Sequence, residues 1–243
     1  MIMGASPALE GQTVVLIGGT RGIGLATARL AGVEGARLII TARDAERLRE
    51  VGSELGAATA AFDATDLERL GRFIDELPDV VDHVLITGPG PYYAPLADLD
   101  LIEARRDYEA HLLAPVQLAR HAVGRLRPGG TLLFMSGTGG RRSSSGALLT
   151  AHTAAIPALV RNLALEVAPI RVNAIAAGFV DTPLSAALLG DQLDERREQL
   201  RRTLPIERVV TAEDVAALAI HLMVNTAITG ATVDIDGGQQ LLD

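Results

Sequence analysis

The chain has 243 residues, of which 48% are hydrophobic and 21% are charged, so it can form a large core and is not expected to be disordered. It contains no cysteine, which excludes disulfides, thiolate catalysis and zinc ribbons. The net charge of −8 argues against nucleic acid or an anionic membrane as the main partner. Its continuous apolar runs are shorter than a bilayer-spanning helix of roughly 20 residues, and its start does not resemble a secretory signal. We therefore expect a cytoplasmic protein.

Strand-like apolar runs alternate with helical patterns along the chain. The predicted strands are Thr13–Ile17, Arg37–Thr41, Ala58–Phe62, His83–Ile86, Thr131–Met135, Ile170–Ile175 and Thr232–Ile235. The predicted helices are Ile23–Gly32, Asp44–Leu55, Leu67–Glu76, Leu101–Leu126, Ala147–Val167 and Ala212–Met223. Continuous apolar strands covered by helices on both faces predict an α/β fold of Rossmann type. We expect one doubly wound, seven-stranded parallel sheet in a single domain over residues 1–243.

Two segments depart from this alternation. Residues 1–11 are predicted to form an N-terminal extension. The segment 183–205 is charged and amphipathic, and its place near the carboxyl edge of the sheet favours a mobile substrate lid. A surface pair of helices is the alternative interpretation.

A glycine-rich turn follows the first predicted strand, with the sequence Gly18-Gly-Thr-Arg-Gly-Ile-Gly24. Glycines between a strand and a helix let the backbone approach a pyrophosphate, and the helix N-terminus supplies free N–H groups. The spacing differs from G-x-G-x-x-G, and a glycine cluster alone is also typical of an ordinary tight turn. The position of the turn, after the first strand of an α/β pattern, therefore carries the prediction of a dinucleotide site.

This turn and three later motifs resemble the short-chain dehydrogenase/reductase family over nearly the whole chain. The turn is similar to the family's T-G-x-x-x-G-x-G, with Ile17 in place of the threonine. Asp63-Ala-Thr-Asp66 resembles its adenine-contacting D-x-x-D. The segment 171–182 resembles R-V-N-x-I-x-P-G-x-x-x-T, with Ala177 for proline, and residues 229–238 resemble its closing strand. The resemblance implies that Val180 and Thr182 contact the nicotinamide carboxamide.

The end of the second strand bears on which dinucleotide binds. An NAD-binding domain usually has an acidic residue there, but this strand ends in Thr41-Ala42-Arg43, and Asp44 follows at a helix N-cap position. Arg43 and Arg21 could pair with a 2′-phosphate, or both could be solvated surface groups. We predict NADP(H) rather than NAD(H). The predicted cofactor-binding residues are Gly18, Thr20, Arg21, Gly22, Ile23, Gly24, Arg43, Asp63, Ala64, Gly88, Gly178, Val180 and Thr182.

The resemblance also implies catalytic groups that this sequence lacks. Family members use a tyrosine, a lysine four residues later, a serine and an asparagine. Aligned on the downstream motifs, these fall on Leu149, Thr153, Ser136 and His111, so only the serine is kept. All 22 basic residues are arginines, and no alignment can restore the lysine.

Three side chains are candidate replacements that could act with Ser136. His152 lies about 60° from the direction of the missing tyrosine on a helix and could be an acid or base, or a surface or subunit-contact histidine. His111 occupies the asparagine position, or is a buried histidine that braces the fourth strand. Tyr93 follows the altered Thr87-Gly-Pro-Gly90 loop and could donate a proton, or form a pocket wall. The other histidines show no metal-ligand spacing, so we expect no metal site.

Three functions follow from these observations. We favour an NADP(H)-dependent oxidoreductase that reduces or oxidises a small carbonyl or alcohol substrate with a non-standard proton donor. The alternatives are a non-redox lyase, isomerase or cyclase, and a non-catalytic nucleotide-binding homologue. The helices predicted over Leu101–Leu126 and Ala147–Val167 resemble those that pack across a two-fold axis in the family, so we expect a homodimer or homotetramer.

Overall fold

Seven parallel strands form the central sheet of the computed structural model, which describes residues 7–77, 80–141 and 146–242. In sheet order, the strands are β3 (Ala58–Ala61), β2 (Arg37–Ala42), β1 (Thr13–Ile17), β4 (Val81–Ile86), β5 (Leu126–Gly137), β6 (Arg171–Ala177) and β9 (Thr232–Ile235). A separate parallel pair is formed by β7 (Val180–Asp181) and β8 (Val210–Thr211). The prediction of a doubly wound parallel sheet is confirmed. The strand order reverses between β1 and β4, where ligands bind in such folds.

Helices cover both faces of the sheet. They are α1 (Gly22–Val33), α2 (Ala45–Leu55), α3 (Leu67–Asp75), α4 (Leu101–Tyr108), α5 (Ala114–Ala122), α6 (Ala147–Glu166), α7 (Pro183–Leu189), α8 (Leu193–Thr203) and α9 (Ala212–Val224). In β1, Val15 and Ile17 enter the core on the α3, α5 and α6 side, whereas Val14 and Leu16 enter the core on the α1 and α9 side. This burial of both faces explains why the strands are continuously apolar.

The helix α6 is long and apolar enough to cross a membrane by length and composition alone. In the fold, however, Ile156, Val160 and Leu163 of this helix belong to the core that packs against the sheet. A core helix of a layered α/β domain meets the same two criteria. The sequence analysis predicted this helix as Ala147–Val167, but it compared only uninterrupted apolar runs with the length of a membrane span and so did not single α6 out.

The single helix predicted over Leu101–Leu126 is wrong, because the structure divides it. A π-helical turn over Glu109–Leu113 separates α4 from α5, and the N–H of Ala114 reaches back five residues to the carbonyl of Glu109. Pro115 has no N–H, so the α-helical hydrogen bond to the residue four before it cannot form, and the turn widens just ahead of it. The helix ends at Ala122, and Leu126 already belongs to β5.

The segment predicted as a lid, 183–205, consists of α7, a 3₁₀ turn over Gly190–Gln192, and α8. Its structure is thus the helix pair given as the alternative interpretation, and its movement stays a prediction. Arg197 of α8 donates to both carboxylate oxygens of Asp181 at 2.9 and 2.7 Å, which fixes α8 to β7. Of the predicted N-terminal extension, residues 1–6 lie outside the described residues, whereas Leu9 is fully buried.

Candidate cofactor and active site

The glycine turn after β1 has the geometry of a phosphate cradle. Gly18 has a φ of +96°, and a Cβ on this residue would lie 2.3 Å from Oγ1 of Thr87. A Cβ on Gly24 would lie 2.1 Å from the carbonyl oxygen of Gly18. The helix α1 begins at Gly22, and its N-cap residue Arg21 forms no side-chain capping bond. The first N–H groups of α1 are therefore available to an anionic ligand.

Two contacts link this turn to its surroundings. Arg47 on α2 donates from Nε to the carbonyl oxygen of Thr20 at 3.1 Å, a contact that the sequence analysis missed. A Cβ on Gly22 would lie 3.5 Å from the Thr182 side chain. The fold thus brings Thr182, which the resemblance places at the nicotinamide, close to the start of α1.

The residues predicted for the adenine end lie together at the tips of β2 and β3. Nη1 of Arg43 is 3.9 Å from Oδ2 of Asp63, and Nη2 of Arg21 is 3.9 Å from Oδ2 of Asp44. The Arg43 side chain is 73% exposed, so its guanidinium can turn toward a ligand. Asp63 also accepts from the N–H and hydroxyl of Thr65, at 3.0 and 2.8 Å, which shapes the turn that contains Ala64.

The residues predicted for the nicotinamide end follow β6. A Cβ on Gly178 would lie 2.6 Å from Cβ of Asp236, so only glycine fits this position. Val180 is buried and pairs with Val210 in the short β7–β8 sheet. Oγ1 of Thr182 accepts from the N–H of Ser185 at 3.3 Å and caps α7. To contact the carboxamide of a bound nicotinamide, the same hydroxyl would have to hydrogen-bond to it while also capping α7.

Asp107 on α4 joins two of the candidate catalytic residues. Its Oδ1 lies 3.2 Å from Nδ1 of His111, and its Oδ2 lies 3.0 Å from Nδ1 of His152. The backbone N–H of Tyr92 donates to the same Oδ1 at 2.8 Å. The two imidazole rings are parallel within 3°, with centroids 4.9 Å apart. We refer to Asp107, His111 and His152 as the histidine cluster.

Only acceptor oxygens are seen at the ring nitrogens of His111. Nδ1 faces the backbone carbonyl of Asp107 at 2.9 Å as well as its carboxylate, and Nε2 faces the carbonyl of Pro89 at 3.3 Å. Burial alone would lower the pKa of His111, but the hydrogen bond and charge of Asp107 outweigh burial and raise it. Burial likewise opposes ionisation of Asp107, yet hydrogen bonds from His111, His152 and Tyr92 hold its carboxyl pKa far below the usual range. The cluster thus favours an imidazolium at His111 beside a carboxylate.

The histidine cluster contains residue types that bind metals, and their ligand atoms lie within 4.8 Å of one another. A metal ion must lie near the plane of every imidazole that binds it. Because the two rings are stacked in parallel planes, one ion cannot lie near both planes. The arrangement observed is that of one carboxylate lying close to two imidazole rings.

The tyrosines surround this cluster in different ways. Tyr93 is 58% exposed, and desolvation of its buried part together with the charge of Asp107 raises its pKa. The phenol of Tyr92 accepts from the N–H of Asp100 at 3.0 Å and holds the start of α4. The ring of Tyr108 meets His152 edge-on, with centroids 6.4 Å apart. Of the three tyrosines, Tyr93 is therefore the most exposed, and its raised pKa keeps the phenol protonated.

Ser136 lies in a cavity of about 170 Å³ between β5 and α6. Its buried hydroxyl forms no hydrogen bond with any residue in the described ranges. The same cavity is lined by Thr153, which occupies the lysine position and donates to the carbonyl of Leu149 at 2.7 Å. Arg141 also lines it and pairs with Asp234. Ser136 is thus free to bind a ligand oxygen, but it is not hydrogen-bonded to the histidine cluster.

The structure therefore joins His111 and His152 and places Ser136 and Tyr93 outside that contact. The sequence analysis missed Asp107, the residue that joins them. Its spacing of four residues from His111 was the available signal, because that spacing puts both side chains on one helix face.

Comparison with known proteins gives consistent matches over nearly the whole chain. The family model described as "Enoyl-(Acyl carrier protein) reductase" matches residues 18–240. The chain is 34% identical to 3beta-hydroxysteroid dehydrogenase 1 of Eggerthella lenta over 96% of this chain and 95% of that protein. The solved structure of MalC Reductase/Diels-Alderase from Malbranchea aurantiaca has a TM-score of 0.89, 26% identity, and coverage of 98% and 99% of the two chains. BdcA in complex with NADPH has a TM-score of 0.85, 25% identity, and coverage of 95% of both chains.

Proposed function

Because the chain belongs to the short-chain dehydrogenase/reductase family, we propose that it is an NADP(H)-dependent oxidoreductase acting on a small carbonyl or alcohol substrate. Its homologues are oxidoreductases of that family, and a structural neighbour binds NADPH. The open N-terminus of α1 and the glycines that exclude a Cβ fit a pyrophosphate. Arg43 and Arg21 support a preference for the 2′-phosphate.

The observation that carries the proposal is the hydrogen-bonding environment of His111. Its ring nitrogens face acceptor oxygens, and a Cβ on Gly88, a predicted cofactor contact, would lie 3.9 Å from its Nε2. An imidazolium at this position can supply the proton that the family's tyrosine supplies elsewhere.

In the proposed reaction, NADPH held at the glycine turn would supply a hydride for a carbonyl substrate. His111 donates its Nε2 proton to the carbonyl oxygen, exchanging its contact with Pro89 for one with the substrate. Asp107 holds the ring in place through Nδ1 and stabilises its charge before transfer. The Ser136 hydroxyl can orient the substrate oxygen from the neighbouring cavity, and Tyr93 is the second candidate donor.

The test is NADPH oxidation with a 3-oxosteroid, cyclohexanone and benzaldehyde as substrates. His111→Asn should slow oxidation about 100-fold, within the range for loss of a general acid. His121→Asn is the matched control, since His121 also pairs with an aspartate, Asp75, at 3.0 Å, but lies between α5 and α3. Equal rates for His111→Asn and wild type would exclude His111 as the donor.

A non-redox reaction of the lyase, isomerase or cyclase type is the second candidate. It is favoured by the absence of lysine and by the similarity to MalC, whose name joins a reductase with a Diels–Alderase. Conversion of a ligand without loss of NADPH absorbance would support it. Tight NADPH binding with no conversion of any ligand would instead indicate a non-catalytic homologue.

We propose a homodimer or homotetramer as the working assembly, located in the cytoplasm. The exposed apolar residues Leu101, Ile102 and Leu113 on α4 and the following turn suit a subunit contact. Sedimentation of the purified protein measures the assembly directly, and a monomer at all concentrations would contradict it.

A further inference from the structure

We propose that the cavity beside Ser136 binds the carboxylate group of a small organic acid. Residues of α6, β5, β6 and β9 line this cavity, and its volume is about 170 Å³. A cavity of roughly 150 Å³ holds a benzene ring, so a ligand of about six non-hydrogen atoms fits here. The inference shares Ser136 with the proposed function but goes beyond it, because it requires neither NADPH nor hydride transfer.

Two hydroxyl groups of this cavity are available to a ligand. Oγ of Ser136 and Oγ1 of Thr232 are buried, and neither forms a hydrogen bond with any residue that the structure describes. A buried hydroxyl without a partner lowers the stability of the fold, and a ligand oxygen that accepts from it removes that penalty. The hydroxyl of Thr153 in the same wall differs, because it already donates to the carbonyl of Leu149 at 2.7 Å. Ser136 and Thr232 are therefore the hydroxyls that a ligand would satisfy.

Arg141 supplies the positive charge that selects an acid. It is the one charged residue among the described residues that line the cavity, and its side chain is 38% exposed, so it lies at the outer end. Its Nη2 pairs with Oδ1 of Asp234, whose Oδ2 accepts from Nε2 of Gln240 at 2.8 Å. A guanidinium has further N–H groups, so Arg141 can hold a carboxylate while it keeps its contact with Asp234.

The turn that contains Arg141 packs closely against α6. A Cβ on Gly140 would lie 2.6 Å from the backbone nitrogen of Ala154 and 2.9 Å from Oγ1 of Thr153, so only glycine permits this approach. The backbone next to Arg141 is thus fixed against the wall of the cavity. A guanidinium placed in this way loses less conformational entropy when it binds a ligand.

The other side chains of the cavity wall decide what kind of acid fits. Ala154, Pro157 and Ala176 are apolar and suit a short hydrocarbon chain. A carboxylate can accept from a guanidinium and from hydroxyls at the same time, whereas an ammonium ion would be repelled by Arg141. Butyrate combines a carboxylate with a short chain and is therefore a suitable probe.

An NMR titration with butyrate and with butyramide tests the site, using the protein without NADPH in a buffer free of carboxylates. The two probes have the same shape, but only butyrate is charged, so butyrate should bind about tenfold more tightly. No binding of butyrate, or equal affinities for the two probes, would overturn the inference.

Thr232→Val separates ligand binding from a structural role. Valine keeps the shape of threonine but lacks the hydroxyl, so the variant should bind butyrate about fivefold more weakly. Its stability in urea should be unchanged or higher, because an unpaired buried hydroxyl has been removed. Lower stability together with unchanged affinity for butyrate would show that the Thr232 hydroxyl is structural and does not contact the acid.

Two substitutions of the charged pair should act in opposite directions. Arg141→Met should weaken butyrate binding at least tenfold, whereas Asp234→Asn should strengthen it about threefold because it removes a competing anion. Arg161→Met is the control for the loss of one positive charge, since Arg161 is an exposed residue of the same helix, α6. Wild-type affinity in both Arg141→Met and Asp234→Asn would overturn the inference. Butyrate binding without NADPH oxidation of any carbonyl would contradict only the proposed oxidoreductase, and oxidation without butyrate binding would contradict only this site.

Discussion

The hydroxyl of Thr87 lies 3.2 Å from the carbonyl oxygen of Ile17 and 3.3 Å from that of Gly18, which ties the tip of β4 to the glycine turn. A side chain on Gly18 would displace this hydroxyl and force a non-glycine residue to a φ of +96°. The two effects act at the place where α1 begins, so they bear on cofactor affinity as well as stability.

We therefore expect Gly18→Ala to weaken NADPH binding at least tenfold and to lower the free energy of unfolding by about 1–3 kcal/mol. Gly56→Ala is the control, because Gly56 also has a positive φ, of +61°, but a Cβ there meets nothing within 4 Å. Gly56→Ala should lower the free energy of unfolding by about 1 kcal/mol and leave the affinity for NADPH unchanged. Calorimetric titration and urea unfolding measure both quantities. An unchanged NADPH affinity in Gly18→Ala would contradict the proposal that the glycine turn binds the phosphates of the cofactor.

Replacing Arg43 tests the choice of dinucleotide. A charge-assisted hydrogen bond contributes about 1.5–3 kcal/mol, so Arg43→Ala should weaken NADPH binding at least tenfold and NADH binding little. Arg49→Ala on the exposed part of α2 is a control for the loss of one positive charge. The measurement is the dissociation constant of each nucleotide for wild type and for both variants. If Arg43→Ala weakens the binding of NADH and NADPH equally, Arg43 does not contact the 2′-phosphate.

The cavity beside Ser136 offers a way to restore the family's missing pair. Leu149 and Thr153 lie one turn apart on α6, and the cavity of about 170 Å³ next to Thr153 leaves room for a longer side chain. Leu149→Tyr with Thr153→Lys should raise the NADPH-dependent reduction of cyclohexanone at least tenfold, whereas Leu149→Tyr alone should not. A folded double variant with no gain in rate would show that α6 does not face the reacting carbonyl.

Acid should destabilise the protein through His83. Burial of this ring lowers its pKa from 6.5 to about 4, and its Nε2 lies 2.6 Å from Oε1 of Gln12. The unfolded chain takes up a proton near pH 6.5 and the folded chain only near pH 4, so stability falls as the pH drops between these values. We expect wild type to lose about 2 kcal/mol more than His83→Gln between pH 7 and pH 5.

Urea unfolding at the two pH values gives this difference. The raised pKa of His111 acts in the opposite sense, because its stabilisation is present below pH 6.5 and is lost as the pH rises through the folded value. The histidine cluster is the same in both proteins, so its effect cancels in the comparison. An equal loss in wild type and variant would show that His83 is not the group responsible.

Sequence periodicity was sufficient for the sheet because burial of both faces makes each central strand continuously apolar, as in Thr13–Ile17. It failed at Leu101–Leu126, where Pro115 and Gly124 interrupt a pattern that otherwise continues. The positions of His111 and His152 could be inferred from motif spacing. Their contact through Asp107 could not, because it depends on how α4 packs against α6, 45 residues further along the chain at His152.

The π-helical turn over Glu109–Leu113 determines the direction in which Asp107 faces relative to α5. Such a turn holds one residue more than the α-helical turn that it replaces, and each residue turns a helix by about 100°. Deletion of one residue from the turn would rotate α4 relative to α5 by that angle and carry Asp107 away from His152. The contact between Asp107 and His152 thus depends on the one extra residue that the π-helical turn holds.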